Sequence, residues 1–166
     1  MGKFLDDEKQ GKIGERYFEK YLKKNKITYA DVRKNPVYRD IDVDYIIHEN
    51  DKNIFYEVKY NWKKVHFLNF ELLTNCDTTY GAIKFGWPFI TKANYIIFVN
   101  PLGEMSKLDW NNESKTVFNE IYRTYDVIKN DPTRNSRGII THQSCYTEIP
   151  IIKFLEFIEY IDVKGK

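Results

Sequence analysis

Arg39-Asp-Ile-Asp-Val-Asp-Tyr-Ile-Ile47, followed by Glu57-Val58-Lys59, is the stretch on which the fold turns. Both runs alternate with a period of two. Ile41, Val43, Tyr45 and Ile47 fall on one face of the first, and Ile54, Tyr56, Val58, Tyr60 and Trp62 on one face of the second. This pattern predicts two half-buried strands whose apolar faces enter the core. Side chains two apart on a strand project together, so the opposite face gathers Asp40, Asp42, Asp44, Glu57 and Lys59.

The connection His48-Glu-Asn-Asp-Lys-Asn53 is polar, and its Asn and Asp residues tolerate turn geometry, which predicts an antiparallel hairpin. A two-residue loop at Asn50-Asp51 sets Asp44 opposite Glu57 and Asp42 opposite Lys59. A four-residue loop from Asn50 to Asn53 sets Asp44 opposite Lys59 instead. A three-residue loop without a bulge would pair Asp44 with Val58 and break both the charged and the apolar face, so it is rejected.

Aspartate is disfavoured in strands, and carboxylates sharing a small area repel unless a cation lies among them. Phosphodiester hydrolysis uses such an arrangement: hard cations prefer oxygen ligands, and they hold the phosphate and activate water. Asp44 and Glu57 are the candidate ligands, with Asp42 as runner-up. Lys59, two residues beyond Glu57, is placed to meet the phosphate or to assist the attacking water. The plainer reading of the same residues is a solvated strand face with Lys59 paired across it to a carboxylate.

These residues resemble the PD-(D/E)xK nuclease superfamily, which includes restriction endonucleases, Holliday junction resolvases and phage nucleases. The motif reads Asp44, then Glu57-Val58-Lys59, with Val43 where the family name has proline. Members often carry a glutamate on a preceding helix, and Gly11-Lys-Ile-Gly-Glu-Arg-Tyr-Phe-Glu-Lys-Tyr-Leu22 resembles that helix, with Glu15 in the matching position. Its wheel agrees independently. Ile13, Tyr17, Phe18, Tyr21 and Leu22 form an apolar arc, and Glu15 projects within about 20° of Leu22. Glu19 lies about 40° further round and is expected in solvent. The segment Trp87 to Val99, with its Thr91-Lys-Ala-Asn-Tyr95 turn, resembles a turn leading into a buried strand in phage-type members. The resemblance spans residues 8 to 100 and leaves 101–166 as a C-terminal extension of a single domain, 1–166. It implies an α/β fold, a mixed central sheet flanked by helices with a restriction endonuclease-like core. It implies a Mg²⁺-dependent endonuclease acting on DNA, with Mn²⁺ able to substitute, and a possible homodimer. Glu71 and Lys92 follow as secondary candidates. By position alone, Lys63 and Lys64 after Trp62 are candidates for a phosphate track near Lys59, against the plainer reading of solubilising lysines at a strand end. A binding module without turnover, or an RNA-directed enzyme of the same chemistry, remain alternatives.

The rest of the chain sets broader bounds. With 166 residues, 42% hydrophobic and 16% aromatic, it can bury a sizeable core. Its 26 basic and 24 acidic residues make no overall basic surface, so any DNA contact must come from local patches. Cys76 and Cys145, far apart in sequence, are expected as reduced thiols, and His48, His66 and His142 as structural or exposed. The absence of an apolar leader, and apolar runs as short as Tyr95 to Val99, predict a cytoplasmic protein without membrane contact. Expected elements are a helix over 8–24, strands near 28–33, 38–48, 53–61, 66–73 and 94–99, a helix within 113–130, a loop over 130–138, and a final helix near 151–162.

Overall fold

The computed structural model describes residues 3–61, 66–134, 137 and 139–161, with backbone alone for 3–10, 80, 133, 140 and 142. In chain order the elements are α1 (Lys3–Lys24), β1 (Tyr29–Asp31), α2 (Pro36–Arg39), β2 (Tyr45–Glu49), β3 (Lys52–Tyr60), β4 (Phe67–Asn75), β5 (Lys84–Phe85), α3 (Trp87–Ile90), β6 (Tyr95–Val99), β7 (Met105–Asp109), α4 (Asn112–Ile121), β8 (Ile128–Lys129), β9 (Thr133–Arg134), β10 (Ile140–His142), β11 (Cys145–Pro150) and β12 (Ile158–Ile161). Short 3₁₀ turns cover Thr78–Tyr80, Tyr122–Thr124 and Ile151–Phe157.

The hairpin forms as read. Tyr45 pairs with Tyr56, Ile47 with Ile54 and Glu49 with Lys52, the register of a two-residue loop. Asn50 and Asp51 sit at φ 49° and 61°, the two left-handed positions of the tight turn that matches strand twist. Around this hairpin a six-stranded mixed sheet runs β1-β2-β3-β6-β7-β12, with β3 and β6 its parallel pair. A four-stranded antiparallel sheet runs β5-β4-β11-β8, and β9 with β10 makes a separate ribbon within the predicted 130–138 loop region and beyond.

Two cores separate the layers. Phe18 and Leu22 of α1 pack on Tyr45, Ile47, Tyr56, Val58, Ile97 and Val99, one face of the six-stranded sheet. The other face carries Ile96, Phe98 and Leu108 against Leu68, Phe70, Leu72 and Ile149 of the second sheet, with Trp87, Phe118 and Phe154 filling the edges. The protein is therefore a mixed α/β structure whose larger sheet is covered by α1 on one face and by the smaller sheet on the other. Helices on both faces were expected. Instead, β4 alternates buried and partly buried residues along its length, the pattern of a strand in a sheet with one face in the core.

Other differences have local causes. Strand 38–48 begins only at Tyr45, because Asn35 accepts the Val37 N–H (3.1 Å) and Pro36 occupies the first helical position, which starts α2. The predicted final helix is a 3₁₀ turn broken at Phe154 (φ −121°, ψ 16°), after which β12 pairs with β7. Beyond residue 100, β7 and β12 join the larger sheet and β8 and β11 the smaller one. The C-terminal third is thus built into both sheets rather than appended to them.

Cys76 and Cys145 are joined by a disulfide, with 6.1 Å between their Cα atoms, against the expectation of free thiols. Sixty-nine residues of sequence separation vanish because β4 and β11 are neighbours, with Cys145 opposite Leu73.

Gly86 opens α3 and donates its N–H to Leu72 O (2.9 Å). A methyl group there would run into the Glu71 carbonyl. Gly86→Ala is expected to cost about 3 kcal/mol, the upper end of overpacking, because backbone rather than a side chain must give way. Chemical denaturation would measure it. A cost below about 1 kcal/mol, the size of an ordinary surface change, would show that α3 is not seated as tightly as described.

Candidate active site

Asp44 stands just before β2 and is pinned on several sides. Its N–H donates to Tyr56 O (2.9 Å), its carbonyl accepts from Val32 N–H (2.9 Å), and its Oδ2 accepts the Val58 N–H (2.9 Å). The carboxylate thus bonds to the backbone of the residue between Glu57 and Lys59. On the same face of β3, Glu57 Oε1 lies 2.5 Å from Lys59 Nζ, which also reaches Asp42 Oδ2 at 3.3 Å. Glu57 Oε2 is buried and has no hydrogen-bond partner among the described residues. Trp87 closes one wall, its ring centre 5.7 Å from Lys59 Nζ.

Asp42 arrives by a different route from the one read in sequence. It sits at φ 54° in the turn between α2 and β2, not on a continuous strand. Aspartate tolerates this left-handed conformation better than most residues. The 91–94 segment braces it: Thr91 Oγ1 donates to Asp42 O (2.8 Å) and the Lys92 N–H to Ile41 O (3.0 Å). The same turn sends Ile41 and Val43 into the core facing the second sheet, whereas Tyr45 and Ile47 face α1. Asp40 is exposed.

Glu15 is half-buried on α1 and close enough to raise the Asp44 pKa electrostatically. Arg33 pairs with it, and also with Glu19 Oε1 (2.6 Å) and Asp31 Oδ2 (2.5 Å), while its guanidinium lies 4.9 Å over the Tyr45 ring. Glu19 is therefore not a solvent residue: it is as buried as Glu15 and accepts the Tyr45 hydroxyl as well (3.1 Å). Sequence reading missed Arg33. The available signal was a pair of glutamates one helical turn apart at the rim of an apolar arc, which calls for a cation.

Of the secondary candidates, Glu71 projects from the face of β4 opposite Phe70 and Leu72, away from the core layer that includes Trp87. Lys92 is exposed beside the Asp42 turn. Lys63 and Lys64 lie outside the described residues. Comparisons with family models, with curated proteins and with solved structures find no match for this chain.

Burial pushes Asp44 up to about 6; Lys59 and the Val58 N–H oppose the shift, and Glu15 and Asp42 add to it. Burial raises Glu57 well above the usual carboxylate range, against the pull of Lys59. Burial works against the Lys59 ammonium, yet Glu57, Asp42 and Asp44 outweigh it and hold its pKa above the ordinary lysine value. Three carboxylates thus share one ammonium. Among the described residues no three acidic, cysteine or histidine side chains are already gathered as a cation cage. The donors nevertheless suit a hard cation: they are all oxygens, and Glu57 Oε2 is a desolvated acceptor without a donor.

The raised carboxylates have a consequence for stability. A carboxyl whose folded pKa lies above its unfolded one stabilises the fold fully below the unfolded value, near 4, and that contribution is lost as pH rises through about 6. A divalent cation bound among these carboxylates would take the proton's place and reverse the loss. At about 100 times its Kd, Mg²⁺ is expected to add about 2.7 kcal/mol at pH 8, a rise of about 5–10 °C in Tm, and far less at pH 5. Thermal scans with and without Mg²⁺ at both pH values read this directly. An equal shift at both would place the bound cation elsewhere.

Proposed function

We propose that this protein is a metal-dependent nuclease that hydrolyses DNA phosphodiester bonds, with a restriction endonuclease-like core around the β2–β3 hairpin. The observation that carries the reading is the convergence of Asp44, Glu57 and Lys59 on one hairpin face, with Glu57 Oε2 buried and unpartnered. A solvated strand face has no reason to bury a glutamate to 3% exposure. The likeness to the PD-(D/E)xK superfamily rests on those residues and on Glu15.

In this reading Asp44 and Glu57 hold Mg²⁺ or Mn²⁺, with Asp42 at the rim. A cation held there supplies positive charge against the phosphate and activates the attacking water. Asp44 is oriented by the Val58 N–H, which its Oδ2 accepts. Lys59 is kept charged by its carboxylate neighbours, which suits it to stabilising charge at a phosphate more than to taking a proton. Glu15, neutralised by Arg33, acts as support. Trp87 and the core behind it keep water from one side.

The cytoplasmic location remains a proposal, and the disulfide weighs mildly against it, since structural disulfides belong mostly to oxidising compartments. The test of function is a panel of linear, circular, single-stranded and branched DNA incubated with Mg²⁺, Mn²⁺ or EDTA. Cutting that requires the cation supports the reading. Tight binding without cutting of any DNA would favour a binding module, and cutting confined to an RNA panel an RNA-directed enzyme.

A further inference from the structure

Just outside the site the surface changes character. α3 holds Trp87 inward over Lys59 and turns Phe89 outward, 42% exposed. The Phe89 ring centre lies 5.7 Å from Phe85, which is 63% exposed on the edge strand β5, and 5.9 Å from Tyr122. The three rings form a continuous strip anchored on the buried Phe118, 5.7 Å from Phe89 and stacked on Tyr122 at 5.0 Å. Phe85 and Phe89 are exposed, whereas Tyr122 is partly buried behind them, and exposed rings on so rigid a base lose little freedom when a planar partner settles on them.

Cations flank the Tyr122 end of the strip. Arg123 Nε donates to the Tyr122 hydroxyl (3.0 Å) and its guanidinium lies 5.5 Å from that ring. Lys115 sits one turn before Phe118 on α4 and feels the charge of Lys92, which lowers its pKa after burial has done the same. Among the described residues none of Arg123, Lys115 and Lys92 is in an ion pair, unlike Lys59, Lys107 and Arg33. Glu113 and Glu120 project from the far side of α4, roughly opposite Phe118 at about 100° per residue. Lys92 in turn follows Thr91, the residue that braces Asp42. Cations thus lead from the strip to the mouth of the site.

We propose that this strip is a stacking platform for the unpaired bases of a nucleic-acid strand, Phe85 and Phe89 taking the bases with Tyr122 as their backing, and Arg123, Lys115 and Lys92 the phosphates. Every base has a π-face, so such a platform reads strandedness and not sequence. The inference rests on the nuclease reading of the neighbouring site and specifies its substrate as a strand with a single-stranded stretch beside the scissile bond.

The test is fluorescence anisotropy of labelled 12-mer oligothymidylate, the matching oligouridylate, an abasic 12-mer and a blunt duplex, in EDTA so that nothing is cut. Wild type, Phe85→Ala and Phe85→Leu are compared, with Tm measured for each and sedimentation velocity run in parallel. Phe85 is mostly exposed, so both variants are expected to fold. Expected are an affinity for the unpaired strand lowered about tenfold in both variants, a weaker wild-type affinity for the abasic strand, and unchanged duplex binding. The two oligomers decide between a DNA and an RNA strand. Unchanged single-strand affinity in Phe85→Ala overturns the inference; so does a dimer that Phe85→Ala dissociates and Phe85→Leu keeps, which would make the strip a contact between copies. Cleavage of duplex DNA that survives such a result leaves the nuclease reading standing. Phe85-dependent strand binding by a protein that cuts nothing removes that reading and keeps the platform.

Discussion

Lys59→Ala is expected to lower cation-dependent cleavage by about 10²–10³-fold, the usual loss when a positioned charge facing a reacting oxyanion is removed. The same change alters stability in a pH-dependent way. Lys59 is the cation shared by Glu57 and Asp42, and its raised pKa means that its contribution is present throughout the neutral range. Without it, Glu57 keeps its proton to still higher pH, so the variant should match wild type near pH 5 and fall below it at pH 8. Mg²⁺ should restore much of that difference. Lys59→Arg separates the two roles: it retains charge and hence stability, yet places a wider planar group where the ammonium was, so cleavage still falls. Single-turnover cleavage and thermal scans on the three proteins measure both. Full activity in Lys59→Ala would leave Lys59 as a plain ion-pair partner.

Removing the Cys76–Cys145 disulfide should have the largest effect on stability. Closing a loop of 69 residues stabilises a fold by about 4 kcal/mol in the chain-entropy account, which in a chain of this size corresponds to about 8–16 °C in Tm. The bond ties the end of β4 to the start of β11, where the Cys76 N–H already donates to Gln143 O (2.8 Å) and the Gln143 N–H to Asn75 Oδ1 (3.3 Å). The paired backbone therefore survives reduction, and a Cys76→Ser, Cys145→Ser protein should fold at low temperature with its site intact. Its cleavage rate per folded molecule is expected to equal that of wild type. A Tm unchanged by reductant would show that the two sulfurs do not hold the sheet together.

The hairpin was legible because alternation on both strands agreed with a charged set that had to share a face, but its register stayed open between a two- and a four-residue loop until the left-handed Asn50-Asp51 turn decided it. Asp44, Glu57 and Lys59 were found for that reason. What alternation alone suggested went wrong at the beginning of the first strand, where Asn35-Pro36 starts a helical turn and Asp42 takes a left-handed conformation. Periodicity carried no information there, since the carboxylate reaches Lys59 from a turn. The second sheet was not legible, because alternation shows that a strand has one buried face and not which sheet it joins. The stretch near 151–162 was read as a helix, yet the chain breaks at Phe154 and pairs along β7, a partner distant in sequence. The disulfide and the Arg33 cluster failed similarly: both join residues that only the folded chain brings together.

The central claim, that Asp44 and Glu57 share a divalent cation on the hairpin face, is tested most directly by Mn²⁺ titration followed by electron paramagnetic resonance at pH 8, on wild type and Glu57→Gln. The glutamine keeps the shape of the side chain and removes the charge. Saturable binding by wild type, weakened at least tenfold in Glu57→Gln, is the expected result. Equal binding by both proteins, or none by either, would contradict it.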